Sequence, residues 1–412
     1  MVAEMLCLLL AAQDPGTPEM RGGWLSSDTF DTAAERTSMI AKFKAAHLNT
    51  MFATCPPLGG NTGESAPPDF AALLEEAKAA GLTVTAWFQN YKRSGESAPA
   101  DFASPAEREA QKRWVLDMLA AYPKLDGVHL DYIRYSTWEA CIASKMDGIA
   151  QTIAGIRQAL RSQHPGKPLS AAVFKAAAVT YRGWKPTWEG DVPAWYRDWY
   201  ASDADNYYVR QAALPGNNPN WLLGPSFFSY QQDPPAWLKA GILDAIISMQ
   251  YTAVASTWQD EVGLWKSFLA WQGVPADKAY MGLGWMGPSP WWEDSAFDPK
   301  AMVAFIKHGR SQGIKGFCIF RLGQPGVDDA PLINALSVDG PDNGNAAPFK
   351  TDVASPLQGG TNPSPAPSPG PGNEGGGGGS EGNEGCGATG LEAFLLLTVQ
   401  RRFTLNSARQ AR

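Results

Sequence analysis

Between Arg21 and Val338, short apolar runs alternate with longer segments in which apolar residues recur every three or four positions. Continuous apolar runs are typical of parallel strands buried on both faces, whereas the longer spacing is typical of amphipathic helices. We predict strands that begin near residues 22, 50, 82, 127, 169, 243, 279 and 316. Helices are predicted at 31–46, 70–80, 105–122, 143–163, 257–271, 299–312 and 328–336.

This strand-then-helix order favours one closed (β/α)8 TIM barrel of the α/β class, spanning residues 21–338, over an open doubly wound sheet. A dinucleotide-binding fold is further disfavoured because no Gly-x-Gly-x-x-Gly motif opens the first helix. The rhythm is interrupted by a long aromatic-rich insertion after strand five, from Lys175 to Trp237.

Capping residues predict where several helices begin and end. Asp31 is the expected N-cap of the first helix, and Gly81 is expected to close the second. Ser104 and Pro105 are expected at the N-cap and first position of the third helix, where the missing N–H of proline does no harm.

The two ends of the chain differ in composition from the barrel region. Within residues 1–20, the apolar run from Met5 to Ala12 is typical of the end of a secretory signal peptide, although no basic segment precedes it. Residues 339–385 are rich in Gly, Pro, Ser and Asn and predict a disordered linker, because they offer little apolar surface to bury.

Residues 386–412 combine a Cys–Gly pair, an apolar run and two arginines, and they resemble a bacterial C-terminal sorting tag. Glu392 and the extra residues to Arg412 depart from that pattern, and the alternative is a disordered tail with a chance apolar patch. The apolar run is too short to span a bilayer unaided. We therefore expect a secreted or cell-surface protein, with membrane or envelope attachment through this tail.

Charge and composition narrow the classes of partner. The formal net charge is −7 and Lys and Arg form no basic stripe, so nucleic-acid binding is not expected. Four His and five Cys, without His-Glu-x-x-His or Cys-x-x-Cys spacing, predict neither a metal site nor a cofactor. The 16 Trp predict flat aromatic faces for stacking on a carbohydrate, the alternative being that they fill the core.

The most informative stretch is the predicted fourth strand, Asp-Gly-Val-His-Leu-Asp-Tyr-Ile-Arg-Tyr from Asp126 to Tyr135. Side chains alternate along a strand, so His129 and Asp131 share one face. Asp131 comes late in the strand, at the end where barrel active sites are built. His129 lies one layer deeper and is expected to be a packed polar residue, with a supporting hydrogen bond to Asp131 as one option.

This motif resembles the glycosyl hydrolase-like 10 family, bacterial (β/α)8 barrels regarded as glycosidases. A second, looser similarity is Ala236-Trp237-Leu238 with the segment from Leu243 to Tyr251, where Ser248 replaces the family's usual proline. The resemblance covers residues 21–338 and implies a glycosidase barrel. It also implies that Asp131 is the nucleophile.

Glycoside hydrolysis normally needs a second carboxylate across the scissile bond. We expect Glu293, in the loop after strand seven, to supply it, with Asp294 in the same loop and Glu189 and Asp191 in the insertion as alternatives. Each of these four would otherwise be a solvated loop carboxylate. Asp244 stands at the entry end of its strand and is expected to be structural.

Residues that follow the strand ends are candidate substrate contacts, because polar groups beside aromatic faces suit sugars. The alternative for each is a place in the barrel rim. These candidates are Asn90, Tyr91, Arg134, Lys175, Gln250, Tyr251, Trp285, Trp292 and Arg321.

The sequence thus favours a glycoside hydrolase that acts on a poly- or oligosaccharide. A non-catalytic glycan-binding barrel at the cell surface is the main alternative, because the second carboxylate is not evident. A metal-dependent hydrolase such as a deacetylase is a third class, disfavoured by the small number of histidines.

Overall fold

The computed structural model describes residues 18–55, 69–90, 100–135, 143–175, 230, 232–271, 273–285 and 298–359. Several sequence predictions lie outside these ranges: the signal-peptide run, the candidate site residues Tyr91, Glu189, Asp191, Trp292, Glu293 and Asp294, and the chain beyond Gly359, which includes the predicted sorting tag.

Eight strands form a closed, all-parallel barrel in sequence order, with β1 paired to both β2 and β8. The predicted (β/α)8 fold is confirmed. The strands are β1 Met20–Leu25, β2 Thr50–Thr54, β3 Thr83–Gln89, β4 Gly127–Asp131, β5 Leu169–Phe174, β6 Ala245–Met249, β7 Ala279–Gly284 and β8 Gly316–Phe320.

Helices connect the strands and cover the outside of the barrel. They are α1 Ala33–Ala45, α2 Phe70–Ala79, α3 Pro105–Ala121, α4 Ala143–Gln163, α5 Pro234–Lys239, α6 Ala255–Trp271, α7 Pro299–Ser311 and α8 Ala330–Ser337. Within the described ranges, no helix is long and apolar enough to cross a membrane.

The helix caps explain where the chain turns, and one of the predicted caps is wrong. The N-cap of α1 is Thr32 rather than Asp31. Its hydroxyl accepts a hydrogen bond from the Glu35 amide, and the Glu35 carboxylate accepts one from the Thr32 amide, so both exposed donors are satisfied. Ser104 caps α3 with Pro105 at its first position, as predicted.

Side chains from alternate strand positions divide the core into two parts. One set packs outward between the sheet and the helices. The other set fills the barrel interior and is rich in aromatic residues; it comprises Met20, Trp24, Phe52, Trp87, Ala245, Ile247, Tyr280 and Cys318, joined by Leu357 from beyond the last helix. This layered filling makes the barrel a packed core, open to solvent only at its rims.

The end of the barrel at which the strands begin is closed by the chain that follows α8. Leu357 is buried in the interior, and the Ser355 hydroxyl lies 2.7 Å from that of Thr50, the first residue of β2. Gly359 packs so closely on the Asp126 carbonyl that a Cβ would come within 2.6 Å of the oxygen. The packed region therefore extends to Gly359, beyond the boundary predicted at residue 338.

Candidate active site

Asp131 lies at the carboxyl end of β4 and points into the mouth of the barrel, the end at which all eight strands finish. Its side chain is buried, with 6 % exposure. The indole N–H of Trp87 on β3 donates to Oδ2 at 3.1 Å, and the Tyr132 amide donates to Oδ1 at 2.6 Å. These two donors fix the plane of the carboxylate.

The backbone turns immediately after Asp131. Tyr132 adopts a left-handed conformation (φ 54°), which is uncommon for an aromatic residue. The Arg134 amide then bonds to the Tyr132 carbonyl at 2.8 Å. Strand β4 therefore ends at Asp131, four residues before the predicted end, and Arg134 is turned back toward the mouth.

The protonation of Asp131 is set by opposing effects. Burial raises the pKa of its carboxyl above the usual value, and the positive charge of Arg134 and the two hydrogen-bond donors oppose that rise. Both oxygens accept hydrogen bonds, which is the pattern that a carboxylate anion needs. The arrangement yields a weakly hydrated anion once the pH exceeds its raised pKa.

His129 occupies the layer beneath Asp131, as its strand position predicts. Its Nε2 accepts from the Trp24 indole at 3.2 Å, so Nδ1 carries the proton and faces the Ser170 hydroxyl at 3.0 Å. Complete burial lowers the pKa of His129 to about 3, so the ring is neutral. The prediction of a packed polar residue is confirmed, and its partners are Trp24 and Ser170 rather than Asp131.

Aromatic rings form the floor of the mouth around Asp131. Tyr251 stacks on Phe320 with ring centroids 5.2 Å apart, and Trp24 meets both rings edge-on. Burial raises the pKa of Tyr251 well above the usual value, and the charge of Asp131 adds to the rise. Tyr251, a predicted contact, therefore lies near the carboxylate and remains a neutral phenol.

Two predicted cationic contacts lie at the mouth, each beside a carboxylate. Arg321, after β8, faces Asp28 through two nitrogens at 3.0 and 3.3 Å. Lys175, after β5, is 3.5 Å from Glu261 of α6. Burial raises the pKa of Glu261 to about 7 despite the nearby lysine.

Three other predicted contacts are buried in the wall of the barrel. The Asn90 amide pairs with that of Gln111 on α3 at 2.9 Å. The Trp285 indole donates to Asp329 at 3.0 Å. Gln250 is fully buried, and no described residue forms a hydrogen bond with either polar atom of its amide. These positions match the rim alternative, and a role in substrate binding stays a prediction for all three.

Asp244, expected to be structural, accepts a hydrogen bond from the Leu169 amide at 2.7 Å and pairs with Arg157 at the end where the strands begin.

The most important site residue that the sequence did not single out is Trp87. A signal was available, since Trp87 is two residues before the end of β3 and shares the inward face that continues to Gln89.

Comparison with known proteins shows no family for this chain. No family model matches the chain, and no curated protein matches it. The resemblance to the glycosyl hydrolase-like 10 family accordingly stays a prediction.

Among solved structures, similar folds occur in glycoside hydrolases. A chitinase from Rhizomucor miehei covers 77 % of this chain and 98 % of its own, with 15 % identity and a TM-score of 0.46. A class V chitinase mutant from Cycas revoluta, in complex with (GlcNAc)3, covers 76 % and 98 %, with 13 % identity and a TM-score of 0.48. An endo-1,4-beta-D-mannanase from Thermotoga petrophila covers 74 % and 88 %, with 11 % identity and a TM-score of 0.46. At these identities and TM-scores, the likeness gives no information about the site.

Proposed function

We propose that the protein is a glycoside hydrolase in which Asp131 is the nucleophile. The observation that carries the proposal is the carboxylate itself: it lies at the mouth of a (β/α)8 barrel, almost fully buried, with both oxygens held by single donors. Burying a charge is costly, and fixed hydrogen bonds at an active-site rim are the arrangement expected when the charge is used.

In the proposed reaction, an oxygen of Asp131 attacks the anomeric carbon while the bond to the leaving oxygen breaks. A second carboxyl group protonates that oxygen, and water then hydrolyses the glycosyl ester after giving its proton to the same group. Glu293 is our candidate for this acid and base, by the sequence argument. Trp87 and the Tyr132 amide hold Asp131 in line, and the rings of Tyr251 and Phe320 offer a platform for a sugar face.

The test is Asp131→Asn, assayed for release of reducing ends from a panel of neutral and acidic polysaccharides. We expect the wild-type protein to cleave at least one member and the variant to lose on the order of 10⁴-fold in kcat. The circular dichroism spectrum should stay that of the folded protein, because asparagine has nearly the same shape. The melting temperature should fall by a few degrees, because the NH2 group of asparagine faces one of the two N–H donors that hold the carboxylate.

Asp126→Asn is the matched control, since Asp126 belongs to the same motif but binds Lys78 and the Val84 amide at the opposite end of the strand. It should weaken folding and leave kcat in place. Undiminished cleavage by Asp131→Asn would remove the assignment. Saturable binding by the wild type without any released ends would favour the glycan-binding alternative.

A further inference from the structure

The cations around the mouth differ in how their charge is balanced. Arg321 faces Asp28, and Lys175 lies beside Glu261. Arg134 follows β4 and is nearest to Asp131 in sequence, and it has no carboxylate within ion-pair distance among the described residues. Its side chain is half-buried, and its Nε is fully buried with no hydrogen-bond partner from the residues that the structure describes.

Aromatic rings surround Arg134 instead. The guanidinium carbon lies 4.5 Å from the ring centroid of Tyr132, 5.4 Å from that of Tyr230 and 5.8 Å from that of Phe174. Within the described part of the chain, its one polar contact is a long one, 3.8 Å from Nη1 to the Met249 sulfur. Rings stabilise the cation and fix its plane, yet they leave most of its N–H donors unused.

Asp131 does not serve as the missing partner. Its two oxygens are held by Trp87 and the Tyr132 amide, and Arg134 acts on it only through the electrostatic field. The planar fork of a guanidinium binds a carboxylate through two parallel hydrogen bonds, and partial burial strengthens such a pair. The mouth therefore has one preorganised donor set for an anion, next to the proposed nucleophile.

We propose that Arg134 binds the carboxylate of an acidic sugar, so that the substrate is a glycan containing uronic acid or a similar carboxylated residue. The inference rests on the proposed function for the identity of the site, and it adds the class of substrate. One cation among neutral rings matches one negative charge. The aromatic floor then contacts the apolar face of the same sugar or its neighbour.

The experiment measures binding rather than turnover, with Asp131→Asn as the background so that no substrate is consumed. Calorimetry would compare oligosaccharides of galacturonate, mannuronate and hyaluronan with their carboxyl-reduced forms, which keep the skeleton and lose the charge. We expect at least one acidic member to bind roughly 10- to 100-fold more tightly than its neutral partner. Adding Arg134→Gln should abolish that preference, and Arg134→Lys should restore part of it.

Arg161→Gln, an exposed arginine that bonds only the Gly241 carbonyl at the opposite end of the barrel, is the matched control and should keep the preference. The proposal is overturned if no acidic member binds more tightly than its reduced form, or if the preference survives Arg134→Gln. Arg134-dependent binding without turnover by the wild type would reject the hydrolase and keep this inference. Cleavage of neutral glycans, unaffected by Arg134→Gln, would do the reverse.

Discussion

The two ends of the barrel differ in whether their buried charges have ion-pair partners. At the end where the strands begin, Glu19 is fully buried and accepts hydrogen bonds from Arg21 at 2.7 Å and from Arg310 at 2.6 and 2.8 Å. At the mouth, Asp131 is almost as deeply buried but is held by an indole and an amide, and Arg134 is held by rings. A buried charge with an ion-pair partner has a structural role, whereas a buried charge without one is available to interact with a ligand.

The closed end is also filled by packed side chains. Phe349 packs beneath both Arg21 and Arg310, and Leu357 fills the space between the strand starts. The mouth retains partly exposed side chains from several strands, among them Tyr251 and Phe320. The contrast predicts that changes at the closed end alter stability alone, and that changes at the mouth alter chemistry first.

The largest effect on stability is expected from Glu19→Gln, because it leaves the buried Arg21 and the partly buried Arg310 sharing one neutral amide. We expect the free energy of unfolding to fall by about 3–5 kcal/mol, measured by urea denaturation. Glu75→Gln is the control: this exposed glutamate pairs with Lys124 on the surface, and its loss should change stability by less than about 1 kcal/mol. Equal effects of the two variants would mean that the ion pairs of Glu19 with Arg21 and Arg310 stabilise the fold no more than an exposed ion pair does.

Glu261→Gln should change the stability of the folded protein in a way that depends on pH, because it removes a buried charge near the mouth. The pKa of Glu261 is raised from 4.5 to about 7, so the folded state holds this proton more tightly than the unfolded state. Binding of this proton therefore adds to the stability of the folded protein. The added stability is complete below pH 4.5 and is lost as the pH rises through 7. This net shift, which already includes the opposing effect of Lys175, corresponds to roughly 3 kcal/mol.

The variant should therefore melt at a higher temperature than wild type at pH 9 and at a similar temperature at pH 4. Thermal unfolding followed by circular dichroism at both pH values checks this. A difference in melting temperature that does not vary with pH would contradict the expectation.

A smaller effect is expected from Trp87→Phe, which removes one of the two donors to Asp131. That donor favours the anion, so its loss should raise the pKa of Asp131 further and move the acid limb of kcat/KM to higher pH. Trp24→Phe is the matched control, because its indole donates to His129 instead. An acid limb that shifts equally in both variants would show that packing, and not the hydrogen bond, is responsible.

The fold was predictable because its signal is long and redundant. Eight apolar runs separated by helical spacing leave few topologies, and the strand starts agree with the structure to within about two residues. The inward direction of Asp131 and His129 followed from alternation alone. The details decided by tertiary contact were missed: Thr32 rather than Asp31 caps α1, and β4 stops where Tyr132 turns left-handed.

The site was less predictable, because residues distant in sequence decide what each side chain faces. Asn90, Gln250 and Trp285 follow strand ends just as Tyr251 and Arg321 do, yet they pack into the wall. The order of residues also says nothing about the rings of Tyr230 and Phe174 closing on Arg134. Likewise, residues 339–359 read as linker by composition, although Phe349 and Leu357 anchor them.

That anchored segment covers the end of the barrel at which the strands begin. Gly359 lies against the Asp126 carbonyl just before β4, and Leu357 is buried in the barrel interior from the same end. A chain cut after residue 338 would therefore leave the lower layer of that interior uncovered and in contact with water.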